Sequence, residues 1–316
     1  MSYGFHIPVD TGNADVQMFI GDCQAVNIFS QMWRKPRGKS MGQIVLVGAG
    51  GNGGTGVIGA NSVSSGGAGG QSGAISIINV PLIMLPEVLY LSLAGRKPTA
   101  TANFASKIAI SSLGTANDIL LFANGGLHGG NASGATGGAV GTAAAGAVAA
   151  DMPLGWGFHT NQISATALNA ASLGTAGGSA ASNGGNLTLP VNGGFVTGGT
   201  GGGGLVGAGL TGSFGGQILP AGSFPQLLGG TGPSVATTPP GNGNAGMARI
   251  MNTLYNYGGT GGGSTHGTAT GGGLVQSSGG DGAPGCGGGG MGGALTGSSA
   301  GRVGFGGPAF AIFTCW

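Results

Sequence analysis

The sequence predicts an all-β fold, an antiparallel sandwich or small barrel whose core carries long glycine-rich loops or packed polyproline-II-like helices. Three observations point there. Short apolar runs with β-branched content recur between residues 16 and 123, each bounded by turn residues. Glycine supplies 79 of 316 residues, a quarter of the chain, against a usual share of about 7 per cent. The C-terminal run Phe310-Ala311-Ile312-Phe313-Thr314-Cys315-Trp316 reads as a further strand and is too apolar to stand in solvent.

The organising stretch is Gly42-Gln43-Ile44-Val45-Leu46-Val47-Gly48-Ala49-Gly50-Gly51-Asn52-Gly53-Gly54, in which a buried strand passes directly into a glycine string. Before it, Val16 to Ile20 and Ala25 to Phe29 read as two strands separated by a Gly21-Asp22 turn. After it, strands are expected at Ala74 to Ile78, Val88 to Ala94, Lys107 to Ile110 and Asp118 to Ala123. The spacing divides the chain into an N-terminal docking segment (1–40), a β core (41–126 with 300–316) and a glycine-rich, low-charge excursion (127–299). Phe19, Phe29, Trp33, Arg34, Lys35 and Arg37 are the candidate docking residues of the first segment. The basic run at 34–39 reads as a solvated turn or as an anion or polysaccharide contact.

Disorder is the first reading that so much glycine suggests, since ordering glycine carries a large backbone entropy cost. Disordered chains are poor in apolar residues and rich in charge. This one is 40% hydrophobic and only 5% charged, with net charge +2. It should fold, and with so little charge it should bury surface in a closed homo-oligomer. The same balance excludes a polybasic nucleic-acid surface.

Beyond residue 123 the only charged residues are Asp151, Arg249, Asp281 and Arg302. Glycine runs such as 198–204 and 285–293 alternate there with small apolar islands. No sustained Gly-X-Y period with abundant proline makes this collagen. Polyproline-II strands form no internal hydrogen bonds, so glycine strands of that kind could pair sideways with nothing but backbone between them. Ordinary surface loops are the alternative.

Trp33 with Lys35-Pro36 and Gly38, then Ile44 to Gly54, Gly66-Gly67-Ala68-Gly69-Gly70-Gln71-Ser72-Gly73, and the ending Gly304 to Trp316 together resemble the glycine-rich domain of bacteriophage virion structural proteins, a domain of tail fibres, tail tips and adhesins. The resemblance covers about residues 33–126 and 281–316. It implies a virion surface protein, homotrimeric, made in the host cytoplasm, with other virion proteins as partners and a host surface glycan or outer-membrane protein as receptor. A capsid-bound decoration, spike or cement protein is the competing reading, and a glycine-rich ice-binding protein a distant one.

No enzyme is expected. Gly48-Ala49-Gly50-Gly51-Asn52-Gly53 matches the dinucleotide fingerprint in letters, but no helix can follow it and no acid lies about 20 residues on. Gly297-Ser298-Ser299-Ala300-Gly301 matches a nucleophile elbow, a pattern that chance supplies freely at this glycine content. His6, His128, His159 and His266 are scattered, with His128 expected at a solvent-exposed loop tip. Cys23, Cys286 and Cys315 have no metal-ligand spacing and read as buried or partly buried free thiols. No metal or cofactor is expected. Trp156, Phe158, His159, Tyr255 and Tyr257 are the candidate receptor contacts, because exposed aromatics among small residues suit sugar stacking; core packing is the plainer reading of each. Met1 to Asp10 lacks the basic and apolar regions of a secretory leader, and the longest apolar stretch is broken by Pro81, Pro86 and Glu87, so neither export by a leader nor membrane insertion is expected.

Overall fold

The computed structural model describes residues 14–22, 28–59, 63–96, 105–112, 118–140, 166–169, 173–180, 182–188, 196–206, 212–219, 225–232, 240–250, 254–264, 276–295 and 301–316. Its frame is nine strands in two antiparallel sheets: β1 (Asp15–Ile20), β2 (Ile28–Arg34), β3 (Met41–Val47), β4 (Ile75–Pro81), β5 (Val88–Ala94), β6 (Ser106–Ala109), β7 (Ile119–Ala123), β8 (Thr166–Asn169) and β9 (Phe310–Cys315). One sheet has the order β1-β9-β3-β4-β8, the other β2-β5-β6-β7. The fold is thus all-β, with the expected antiparallel sheets packed face to face.

The C-terminal strand does enter the core. β9 lies between β1 and β3, with Phe313 opposite Ile44 on one side and Gln17 on the other. Residues 15–34 are not a separate segment, because β1 is the edge of one sheet and β2 pairs with β5 from Ile28–Ala94 to Arg34–Val88. The second strand therefore runs later than expected, through Arg34. Polar Ser30 and Gln31 interrupt the apolar run after Phe29, but pairing with β5 carries the strand on to the turn residues that begin at Lys35-Pro36. β8, from within the excursion, extends the first sheet beside β4.

Between the sheets, Ile44, Leu46, Ile78, Val80, Ala311, Phe313 and Cys315 meet Trp33, Leu89, Leu91, Leu93, Ile108 and Leu121. Alternation places these residues on one face of each strand. The other face of the first sheet is also covered toward one end. Val45, Val47, Ile75, Phe310 and Ile312 pack against Val196, Ile218, Leu227, Tyr257 and Cys286 from the glycine-rich part. That is why β3 alternates at its start and is buried on both faces from Ile44 onward.

The glycine-rich segments leave or rejoin this frame at that same end, after Val47, before Ile75, after Ala123 and before Phe310. They bond sideways, and their partners repeat every three residues. Gly66 and Gly69 donate N–H groups to the 175–178 segment. Gly67, Gly70 and Gly73 donate to 285–291, and Ala68, Gln71 and Ala74 to 124–130. Three residues per turn is the repeat of a polyproline-II helix.

The segment 286–294 lies in the middle of this arrangement. It donates from Cys286 and Gly289 to 280–283, from Gly287, Gly290 and Gly293 to 197–203, and from Gly288, Met291 and Ala294 to 51–57. Its carbonyls accept from Gly67 and Gly70, from 259–262 and from 304–307. Neighbours approach so closely that a methyl group on Gly67 or Gly70 would overlap the carbonyls of Gly54 and Gly51.

Residues of other kinds occupy the positions left over, and several of their side chains complete the bonding. Thr200 Oγ1 accepts from Gly261 N–H and donates to Gly216 O, Thr197 Oγ1 accepts from Gly258 N–H, and Asn52 Oδ1 accepts from Gly306 N–H. Buried backbone without a sheet ladder is thereby satisfied.

Candidate functional site

The frame has two unlike ends. Strands of seven residues at about 3.3 Å each separate them by roughly 20 Å. Glycine segments occupy one end. At the other lie the 35–40 loop before β3, the turn Leu82–Met84 between β4 and β5, and Trp316 after β9.

The 35–40 loop turns at Gly38, whose φ of 74° is left-handed and favours glycine. It is held in place by main-chain bonds: Lys35 N–H donates to Glu87 O, Leu82 N–H to Ser40 O, and Ser40 and Met41 N–H both to Trp316 O. Between loop and turn is a cleft of about 530 Å³ lined by Lys35, Arg37, Lys39, Leu82, Ile83 and Glu87. Four of the nine basic residues of the chain fall in positions 34–39. Lys35 Nζ is committed to Glu87 Oε1 at 2.8 Å and to Leu85 O at 3.0 Å. Arg34, Arg37 and Lys39 form no salt bridge among the described residues.

This end gathers some of the expected docking residues and excludes others. Arg34 and Arg37 are exposed, and Lys35 is half-buried at the cleft. Trp33 is a core residue instead, 1% exposed and stacked on Phe313. Phe19 is half-buried against the same ring, edge-on at 5.6 Å. Aromatic residues on strands that close a sandwich are drawn inward by the area they bury. Phe29 pairs with Leu93 in β2, and its side chain is outside the described residues. Sequence reasoning passed over Ile83, which is 89% exposed, and placed Trp316 in the buried terminal strand, whereas that strand ends at Cys315 and leaves Trp316 46% exposed. The available signal was an apolar turn between Pro81 and Pro86, too short to be a strand.

Of the candidate receptor contacts, Trp156, Phe158 and His159 lie outside the described residues. Tyr255 pairs with Arg249 in a short hairpin, and its side chain is likewise outside them. Tyr257 is fully buried against the outer face of the first sheet, so it offers no surface to a ligand. His128 is not at an exposed tip. It is half-buried within a glycine segment, where its Nδ1 accepts the N–H of Asn52 at 3.1 Å.

A second charged cluster joins the two halves. Asp281 bonds Arg302 through both oxygens at 3.0 and 3.1 Å, Arg96 at 2.6 Å, and the N–H of Phe305 at 2.9 Å. Both guanidinium groups lie over the Phe305 ring, at 4.3 and 5.0 Å from its centre. Burial pushes the Asp281 carboxyl up, but the bonds from Arg302, the Phe305 amide and Arg96 outweigh it and hold the group below its ordinary range. Arg96 follows β5, whereas Asp281 and Arg302 belong to glycine segments. Every cation in the cluster is committed to this carboxylate, which gives it the character of a clamp.

Searched against known protein families, the sequence matches none, and no curated protein matches it. No helix among the described residues is long and apolar enough to cross a membrane.

Proposed function

We propose that this chain is a structural protein of a bacteriophage virion, displayed as a homotrimer and serving attachment to the host surface, with its glycine segments forming a bundle of polyproline-II-like helices. The observation that carries the reading is the two-ended body. A side-chain-poor bundle stands on one end of a β-sandwich, and a basic cleft with exposed Ile83 and Trp316 occupies the other. A body of this kind suits one end for docking to the particle and the other for projection. The three-residue alternation of hydrogen-bond partners supports the helical assignment.

Self-association is supported by the edge strand β1, which exposes Val16, Met18 and Ile20 in a row on one face. An apolar stripe on a sheet edge invites a second copy.

Immunogold labelling of particles with an antibody to this chain tests the reading. Gold at the tail end is the expected result. Gold over the head replaces attachment with capsid decoration or cementing, and particles without gold overturn the virion assignment.

A further inference from the structure

We infer that the cleft between the 35–40 loop and the Leu82–Met84 turn is a docking site for an acidic polypeptide segment anchored by an apolar side chain. The inference deepens the proposed docking role by naming the chemistry of the partner.

Charge complementarity carries the first half. Arg34, Arg37 and Lys39 sit within six residues of one another and have no salt-bridge partner among the described residues. Glu87, the acid that lines the cleft, is already taken by Lys35. A chain with so few charges gathers nearly half of its cations here, on a turn fixed by main-chain bonds to Glu87, Leu82 and Trp316. Such a patch attracts an anionic partner from solution and orients it.

The apolar rim selects the class. Ile83 stands 89% exposed beside the basic loop, Met84 is 39% exposed, and Trp316 is 46% exposed next to Ser40 and Met41. A polysaccharide sulfate or nucleic-acid phosphate has no use for an isoleucine and a methionine on the rim. A peptide with carboxylates and one or two large apolar side chains meets both halves of the surface, its carboxylates on the basic loop and its apolar side chain on the rim. The cleft, at about 530 Å³, holds one such side chain and its neighbours.

The test uses the full chain and fluorescein-labelled twelve-residue peptides, one of Glu and Leu, one of Glu and Ser and one of Lys and Leu, with heparin as a polyanion control. Anisotropy titration should show saturable binding of the Glu/Leu peptide alone. Arg37→Glu with Lys39→Glu should weaken it at least tenfold and Ile83→Ser severalfold. Glu87→Gln, which removes the carboxylate that lines the cleft, should tighten it. If the charge-reversed protein fails to fold by circular dichroism, Arg37→Gln with Lys39→Gln replaces it. Equal affinity for the Glu/Ser peptide or heparin, or no loss on charge removal, overturns the inference. The peptides are free in solution, so their failure to bind leaves the particle labelling untouched, and a particle without gold leaves their affinity standing.

Discussion

Trp33 of β2 and Phe313 of β9 stack across the two sheets, their ring centres 4.8 Å apart and their planes 17° from parallel. Phe19 meets the same Phe313 ring edge-on. The contact ties the strand nearest the basic loop to the final strand of the chain, which arrives after the entire glycine-rich excursion. Closing the sandwich therefore requires the excursion to return its end to the right place.

Truncating this pair should be costly. Trp33→Ala is expected to lower stability by about 3–5 kcal/mol, the range for removing a large buried aromatic. Trp33→Phe should cost less than Trp33→Ala, because it keeps a ring against Phe313 and the indole N–H that it removes has no acceptor among the described residues. Chemical denaturation of the two variants checks the order.

Glycine substitutions should divide sharply by place. Gly70→Ala would drive a methyl group into the carbonyls of Gly51 and Asn52, and Gly290→Ala into those of Gly67 and Ala68. Each should abolish soluble expression or lower stability by more than about 4 kcal/mol. Gly38→Ala meets open space and suffers only its left-handed φ, a cost of about 1–2 kcal/mol. Thermal melts of the three proteins measure the difference.

The clamp at Asp281 should make stability acid-sensitive. Its carboxyl titrates below the ordinary value of 3.8 in the folded chain, so its contribution is complete above that value and fades as pH falls through the folded one. Asp281→Asn should remove this dependence. It should also destabilise the chain by about 2 kcal/mol at neutral pH, since the bonds lost are charge-assisted. Denaturant midpoints at pH 7 and pH 3 for both proteins test the sign.

Neither described thiol should react in the native state. Burial pushes Cys286 far above the ordinary thiol range, and Cys315 is raised to about 11 by burial and the Asp15 charge against a lowering by Lys39. Thiolate is the reactive form. Maleimide labelling at pH 7.5 followed by peptide mass mapping should leave both unmodified until denaturant is added.

Much of the sandwich was legible because its strands obey simple patterning. Ile44 to Val47, Val88 to Ala94 and Phe310 to Cys315 announce themselves by composition and length. That residues 15–34 belong to the sandwich was not legible, since nothing local in β1 or β2 states that their partners lie at residues 310–315 and 88–94. Trp33 illustrates the same limit: beside a basic run it reads as a contact residue, and only long-range pairing turns it inward.

The glycine bundle was partly written in the chain. Ala49, Asn52 and Thr55, then Ala68 and Gln71, then Thr197 and Thr200, each recur at intervals of three with glycines between. These short Gly-Gly-X phases match the three-residue alternation of partners. Their interruption by apolar islands hides them from any search for one long repeat. The cleft was half legible, since the 34–39 charges are plain and the exposure of Ile83 depends on a turn that only the folded sheets define.

The glycine segments are interior structure and not surface loops, their amides bonded sideways to neighbouring segments. Amide hydrogen exchange, resolved by peptide mass spectrometry, tests it most directly, because laterally bonded amides exchange only when the bundle opens. Peptides spanning 65–74 and 285–294 should exchange as slowly as those of β3 and β9. Complete exchange of these glycine peptides within seconds, with the strands still protected, would contradict the account.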